Sequence, residues 1–253
     1  MATKTENPNT NLPLFYKNPV ALDAAAHKDW KLNAALDFSF TKTANAVPIN
    51  VIEMPQICHF YPIAFSPDGR ATPVALIGLR DNENLFLNAK SEWLSDAYIP
   101  SYIRRYPFIF SEGQDGGQLT LCIDDTPQTV LHKGEGQGFF DDKNGPSQLS
   151  SNALEFCKSY HAAAQQTLAF SAELAQSGLL VDRQAEITVP GDKKLQFAGF
   201  QIVDEAKLAD LPDAEFLKWR KNGWLPFLYA HLFSSAQWQR LTRLLNDRMA
   251  NGG

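Results

Sequence analysis

Between Ser151 and Gln176 the chain runs without a proline or glycine, and Gly178 follows as a residue suited to the left-handed position that ends a helix. This is the longest helix the sequence encodes, and helical spacing puts Leu154, Cys157, His161, Ala164 and Leu168 on one face. Strand signals lie on both sides of it. Before it come Phe60–Phe65, the turn Ser66-Pro67-Asp68-Gly69 with Pro73–Leu79 as hairpin partner, and Gln118–Asp124 after the Gly-rich turn EGQDGG. After it come 180–189 and 196–203, joined by Pro190-Gly191-Asp192. Hairpins on either side of one long helix give an α+β fold: a mainly antiparallel strand-rich body at residues 37–130, a long central helix, a hairpin and a helical C-terminus.

The remaining segments read more locally. Residues 1–12 are polar and expected to be disordered, 14–20 extended between two prolines, and 23–30 a short helical turn. Asn50 with Glu53 three residues on has capping-box character and starts a short helix to Cys58. Asn84–Leu87 reads as a third short strand, 93–105 as helix broken at Pro100, and 106–110 as strand. Residues 132–150, with four glycines and mixed charge, read as a flexible loop or a domain boundary. In the tail, Asp210 caps a helix that Gly223 ends, and Trp224–Phe233 is a second helical segment. Ser235 opens a third, with Trp238, Leu241, Leu244 and Leu245 as its apolar stripe.

Composition narrows the function classes. A formal net charge of −5 gives no global attraction for nucleic acid or an anionic membrane. No apolar run approaches the ~20 residues of a spanning helix, and the first twenty residues carry no secretory signal, so a cytoplasmic protein is expected. Three scattered cysteines, Cys58, Cys122 and Cys157, read as reduced thiols.

The most distinctive stretch is Asp96–Ser111, DAYIPSYIRRYPFIFS, where Tyr98, Tyr102 and Tyr106 surround the pair Arg104–Arg105. Aromatics supply buried area while a guanidinium fork binds carboxylate or phosphate with two parallel hydrogen bonds. Adjacent residues on a helix diverge by about 100°. One arginine is therefore expected to be structural, paired with Glu92 or Asp96, and the other to face an anion such as a peptide C-terminus. The competing reading is a pair of surface arginines whose stems pack on tyrosines.

Other candidates carry bland alternatives. Cys157 and His161 stand at i, i+4, a metal-chelating spacing, but Cys58-His59 is the one other Cys/His pair and cannot complete a site, so no metal is expected. His59 and His231 sit in aromatic or apolar runs, where hydrogen-bonded core histidines are common; His59 is also a candidate beside the arginines. Gly134–Gly138 does not lead into a helix and matches no nucleotide fingerprint, so no cofactor is expected. Trp219 and Trp224 lie in a locally basic C-terminal stretch (Lys218, Arg220, Lys221, Arg240, Arg243, Arg248), which reads as a second docking surface or as a helix pair whose tryptophans fill the core. Ser234-Ser235 reads as a helix cap, not a nucleophile.

Three segments resemble the SapC family of bacterial proteins: PLFYKNPVALD; HFYPIAFS through LFLNAKSEWLSDAYIPSYIRRYPFIFS; and FAGFQIVDEAKLADLPDAEF through LPFLYAHLFSSAQWQRL. The arginine-aromatic block is the most specific of them. The resemblance runs on both sides of 132–150, which implies a single α+β domain over residues 13–253. The family is named for proteins associated with bacterial surface layers. Relatives tend to be encoded beside outer-membrane receptors and halogenase-like or cupin-like proteins, which implies an accessory role in uptake or peptide modification. The absence of a secretory signal argues against a structural role in the surface layer itself.

The expectation is a non-catalytic accessory protein that recognises a peptide or protein partner through Tyr98, Tyr102, Arg104, Arg105 and Tyr106, with His59, Trp219 and Trp224 in support. The alternative is an enzyme, or enzyme subunit, acting on a peptide or small anion beside oxidative partners. That reading requires a deep pocket where an arginine meets a histidine or carboxylate.

Overall fold

The computed structural model describes residues 12–112, 119–190 and 193–250. Almost all of the polar N-terminal stretch, the Gly-rich turn after Ser111 and the Gly191-Asp192 tip lie outside the described residues. Along the chain run β1 (Pro19–Ala21), α1 (Ala24–His27), β2 (Lys31–Leu32), β3 (Ala46–Pro48), α2 (Met54–Ile57), β4 (Ile63–Phe65) and β5 (Pro73–Leu76). Then come α3 (Ser101–Arg105), β6 (Phe108–Glu112), β7 (Leu119–Asp124), β8 (Val130–Leu131), β9 (Gln137–Gly138) and α4 (Gln148–Gln176). The C-terminal part holds β10 (Leu180–Val189), β11 (Lys193–Val203), α5 (Glu205–Ala209), α6 (Asp213–Asn222), α7 (Leu225–Ser234) and α8 (Gln237–Ala250). All recorded strand pairings are antiparallel, and the fold is α+β.

Two compact units divide these elements: residues 1–36 with 105–158, and residues 37–104 with 159–253. The first holds the sheet β1-β7-β6 and the small sheet β8-β2-β9. Phe108, Ile123, Val130, Phe139 and Cys157 form its buried cluster. Phe139 thus ties the 132–150 stretch to the core, and its carbonyl accepts a 2.7 Å hydrogen bond from the Ser150 hydroxyl. Asp124 is fully enclosed at the end of β7. Its Oδ1 accepts the backbone N–H groups of Lys17 (2.7 Å) and Asn18 (2.6 Å), and Oδ2 accepts the Tyr106 hydroxyl (2.9 Å).

The second unit is built on the sheet β10-β11-β4-β5-β3. Phe170 of α4 is its aromatic hub, with Trp219, Trp224 and Phe227 meeting it edge-on at 5.6–5.9 Å. Removing such a buried ring typically costs about 3–5 kcal/mol. The two glycines predicted to end helices do so: Gly178 and Gly223 adopt φ of 73° and 76°, the left-handed conformation glycine adopts without a steric penalty, whereas Asp210 closes α5 instead of capping α6, which follows Pro212.

Three further local expectations are corrected. The buried stripe of the C-terminal half of α4 runs through Ala163, Thr167, Phe170, Ser171 and Leu174, while Leu168 is 62% exposed. The helix turns this way because hydroxyls bridge it to the unit: Thr167 accepts the Val51 N–H (3.0 Å) and Ser171 donates to the Ala71 carbonyl (2.9 Å). Asn84–Leu87 forms no strand beyond an isolated bridge of Leu87 to Trp93. Its backbone is held instead by Asn84, whose side chain accepts from Phe86 N and donates to Thr41 Oγ1, both at 2.9 Å. Residues 93–100 are not helical, and α3 spans Ser101–Arg105 alone.

Candidate functional site

The Asn50–Glu53 capping box forms as the sequence indicates, over a turn of 3-10 helix at Val51–Glu53 that runs into α2. Glu53 does more than cap. Its carboxylate, 7% exposed, accepts from Asn50 N (3.3 Å), Ser101 N (2.8 Å), the Ser101 hydroxyl and the Tyr98 hydroxyl (2.8 Å). Four donors match the roughly four lone-pair sites of a carboxylate, which is how a buried charge is tolerated. Residues 93–100 are not helical because their backbone bonds elsewhere in the unit: the Leu94 N–H donates to the Phe86 carbonyl (2.9 Å). The Tyr61 hydroxyl donates to the Tyr98 carbonyl and itself accepts from Trp93 Nε1 (3.0 Å). Asp96 pairs with Arg240 of α8 at 2.9 Å, and that guanidinium lies 5.6 Å from the Phe86 ring centroid.

On the outer side of this network stands Arg104. It is exposed, with Nε donating to the Ile99 carbonyl (3.0 Å) and Nη2 to the Tyr98 hydroxyl (2.8 Å). Its guanidinium carbon sits 5.4 Å from the Tyr98 ring centroid, within cation–π range. Burial, and next the nearby Glu53 charge, push the Tyr98 phenol up to about 12, so it stays protonated at neutral pH, donating inward and accepting outward. Tyr102, on the inner side of α3, is buried and meets Tyr160 edge-on at 6.3 Å.

The other expected residues are placed differently. Arg105 belongs to the first unit, half-buried with its guanidinium carbon 5.5 Å from the Tyr16 ring centroid. Tyr106 is buried against Asp124, and burial followed by that carboxylate's charge raises its phenol strongly. The structure thus brings Tyr98 and Arg104 together and gives Arg105 and Tyr106 their own partners, Tyr16 and Asp124. Neither carboxylate proposed for the structural arginine plays that part: Asp96 holds Arg240, and Glu92 holds Asn88. His59 is exposed just after α2 and makes no side-chain hydrogen bond among the described residues, so the core-histidine reading does not apply to it.

His231 does fit that reading. Nε2 accepts from Val203 N (3.0 Å), Nδ1 donates to the Ile63 carbonyl (2.9 Å), and burial lowers the imidazole to about 4. Both ring nitrogens of a neutral imidazole are therefore occupied. Trp219 is 1% exposed and Trp224 donates its indole N–H to Glu173 (2.8 Å), so both tryptophans pack inward as core. The basic residues beside them are also partly engaged: Lys218 pairs with Glu173 at 2.8 Å, and Arg248 caps the carbonyls of Asn84 and Leu87 at 2.7 Å. Burial raises all three thiols, Cys157 to about 11. Among the described residues no group of three or more His, Cys, Asp and Glu is placed to hold a metal ion, and no helix is long and apolar enough to cross a membrane.

Sequence reasoning assigned neither Glu53 and Arg240 to the network of the second unit nor Asp124 to its separate role in the first. The capping box was the one signal available for Glu53; Asp124 and Arg240 act through partners far along the chain. Comparison with curated proteins and with solved structures finds no match in either. The SapC family profile matches residues 22–241, spanning both compact units and the whole network around Glu53, and the chain belongs to the SapC family.

Proposed function

We propose that the chain is an accessory protein that recognises a peptide or protein partner, with Arg104 and Tyr98 as the contact for an anionic group such as a peptide carboxylate. The observation that carries this is the Glu53 network. A buried carboxylate fixes Tyr98 and Ser101, and through them holds an exposed guanidinium in one orientation. The hydrogen bonds of Arg104 to the Ile99 carbonyl and the Tyr98 hydroxyl fix the plane of its guanidinium, the geometry by which arginine recognises a carboxylate. The chemistry of the other groups supports binding over covalent catalysis: the thiols are buried and held protonated, and His231 has both nitrogens committed.

The test is affinity purification from the native cell, with wild-type protein beside Arg104→Ala, Tyr98→Phe and a control at the exposed Arg220 of α6. The reading expects a partner retained by wild type and by Arg220→Ala and lost with Arg104→Ala. Equal capture by all four proteins removes Arg104 as the contact.

A further inference from the structure

A cavity of about 330 Å³ opens in the second unit where the end of β11, the start of α5 and the α7–α8 junction meet. It is lined by Arg183, Asp204, Glu205 and Trp238 above Ile63 and Leu232. That volume lies at the small end of ligand pockets, and the lining combines an apolar floor, an aromatic wall and charges of both signs.

The strands aim these groups. Register runs Asp182↔Gln201 and Arg183↔Phe200, then resumes at Ala185↔Phe197, so β11 carries one residue more than β10 across this step. Gly199 there has φ of 85°, a bulge with glycine in the left-handed region. Arg183 is opposite Phe200 and so shares its face of the hairpin. The ring of Phe200 lies 5.5 Å from Trp238. The guanidinium stem and the indole therefore rise on the same side.

The acidic side is equally defined. Asp204 caps α5 with Oδ1, which accepts Ala206 N (3.0 Å) and Lys207 N (3.2 Å). Its Oδ2 has no partner among the described residues, and Glu205 is exposed. Lys207 does not neutralise them by a direct ion pair, because its ammonium bonds the Gly178 carbonyl (2.9 Å). Asp182, next to Arg183 in the chain, accepts from Gln201. Among the described residues Arg183 closes no ion pair with Asp182, Asp204 or Glu205, although two of these line the same cavity.

Opposite charges that share a small cavity without closing on one another suit a ligand that carries both. We propose that this cavity binds a free α-amino acid with an apolar side chain. Its carboxylate lies on the Arg183 fork, its ammonium on Asp204 and Glu205, and its side chain against Trp238 and Leu232. This site is separate from the Arg104 contact, and either assignment can fail alone.

The experiment is calorimetric titration of the full chain with L-leucine and L-phenylalanine, beside L-leucinamide, which lacks the carboxylate, and N-acetyl-L-leucine, which lacks the ammonium. The expected result is binding of at least one free amino acid, with each blocked analogue weaker by about tenfold or more. Two variants then separate the roles. Arg183→Ala abolishes the preference for leucine over leucinamide, and Glu205→Gln reduces the preference for leucine over N-acetyl-leucine. Both residues are exposed, and unchanged circular dichroism and melting temperature confirm that each variant is folded. No binding of either free amino acid up to about 10 mM overturns the proposal, as does binding that is indifferent to both blocking groups or unaffected by Arg183→Ala.

Discussion

Glu53 and Asp124 are buried carboxylates built on one plan, one in each compact unit, and they end in different roles. Each accepts a tyrosine hydroxyl and backbone N–H groups from chain far away in sequence: Tyr98 and Ser101 for Glu53, Tyr106, Lys17 and Asn18 for Asp124. The difference lies on the far side of the tyrosine. Tyr106 is 9% exposed and packs edge-on against Tyr16, so its hydroxyl serves to hold β7 and the chain entering β1. Tyr98 is only partly buried, and its oxygen carries Arg104. The same carboxylate chemistry makes a staple in one unit and a mount for an exposed charge in the other.

That contrast is open to measurement. The largest effect is expected from Asp124→Ala, which leaves two backbone donors and a buried hydroxyl unsatisfied; about 3–5 kcal/mol of stability should be lost in urea unfolding. Glu53→Gln keeps shape and some acceptors, so about 2 kcal/mol is expected, together with weakened partner capture. A stability loss equal to that of Asp124→Ala without loss of capture would make Glu53 another staple. The tyrosines are the sharper pair: Tyr106→Phe and Tyr98→Phe should each cost about 1–2 kcal/mol, with capture reduced by Tyr98→Phe alone. Both phenols titrate higher folded than unfolded, so the folded chain holds protons that the unfolded chain releases. Through these two groups, stability is unchanged up to about pH 10 and falls as pH rises toward about 12, the folded value for Tyr98. Each Phe variant should flatten that alkaline decline in stability measured against pH. Arg104→Ala is expected to change stability least, by about 0.5 kcal/mol or less, while abolishing capture.

Local chemistry made much of the fold legible. Gly178 and Gly223 end helices because glycine alone adopts their backbone angles freely, and Asn50–Glu53 is a capping box because both partners sit within one turn. What stayed hidden depends on distant polar partners. Thr167 displaced Leu168 from the buried stripe through a bond to Val51, and bonds of Leu94 and Tyr98 to Phe86 and Tyr61 took residues 93–100 away from a helical reading. The arginine pair was visible as a pair, but which member is exposed followed from Tyr98 and Tyr16, neither of which spacing can identify.

The chain of bonds from Arg104 through Tyr98 to Glu53 has one further consequence. Arginine can only donate and a carboxylate can only accept, so the hydroxyl proton between them has a single setting. No alternative proton arrangement competes with it, and Asn50 and Ser101 donate in the same sense. A partner that meets Arg104 therefore finds a side chain whose rotamer entropy was lost when the protein folded. That ordering cost is not incurred again on binding, so more of the contact energy is expressed as affinity.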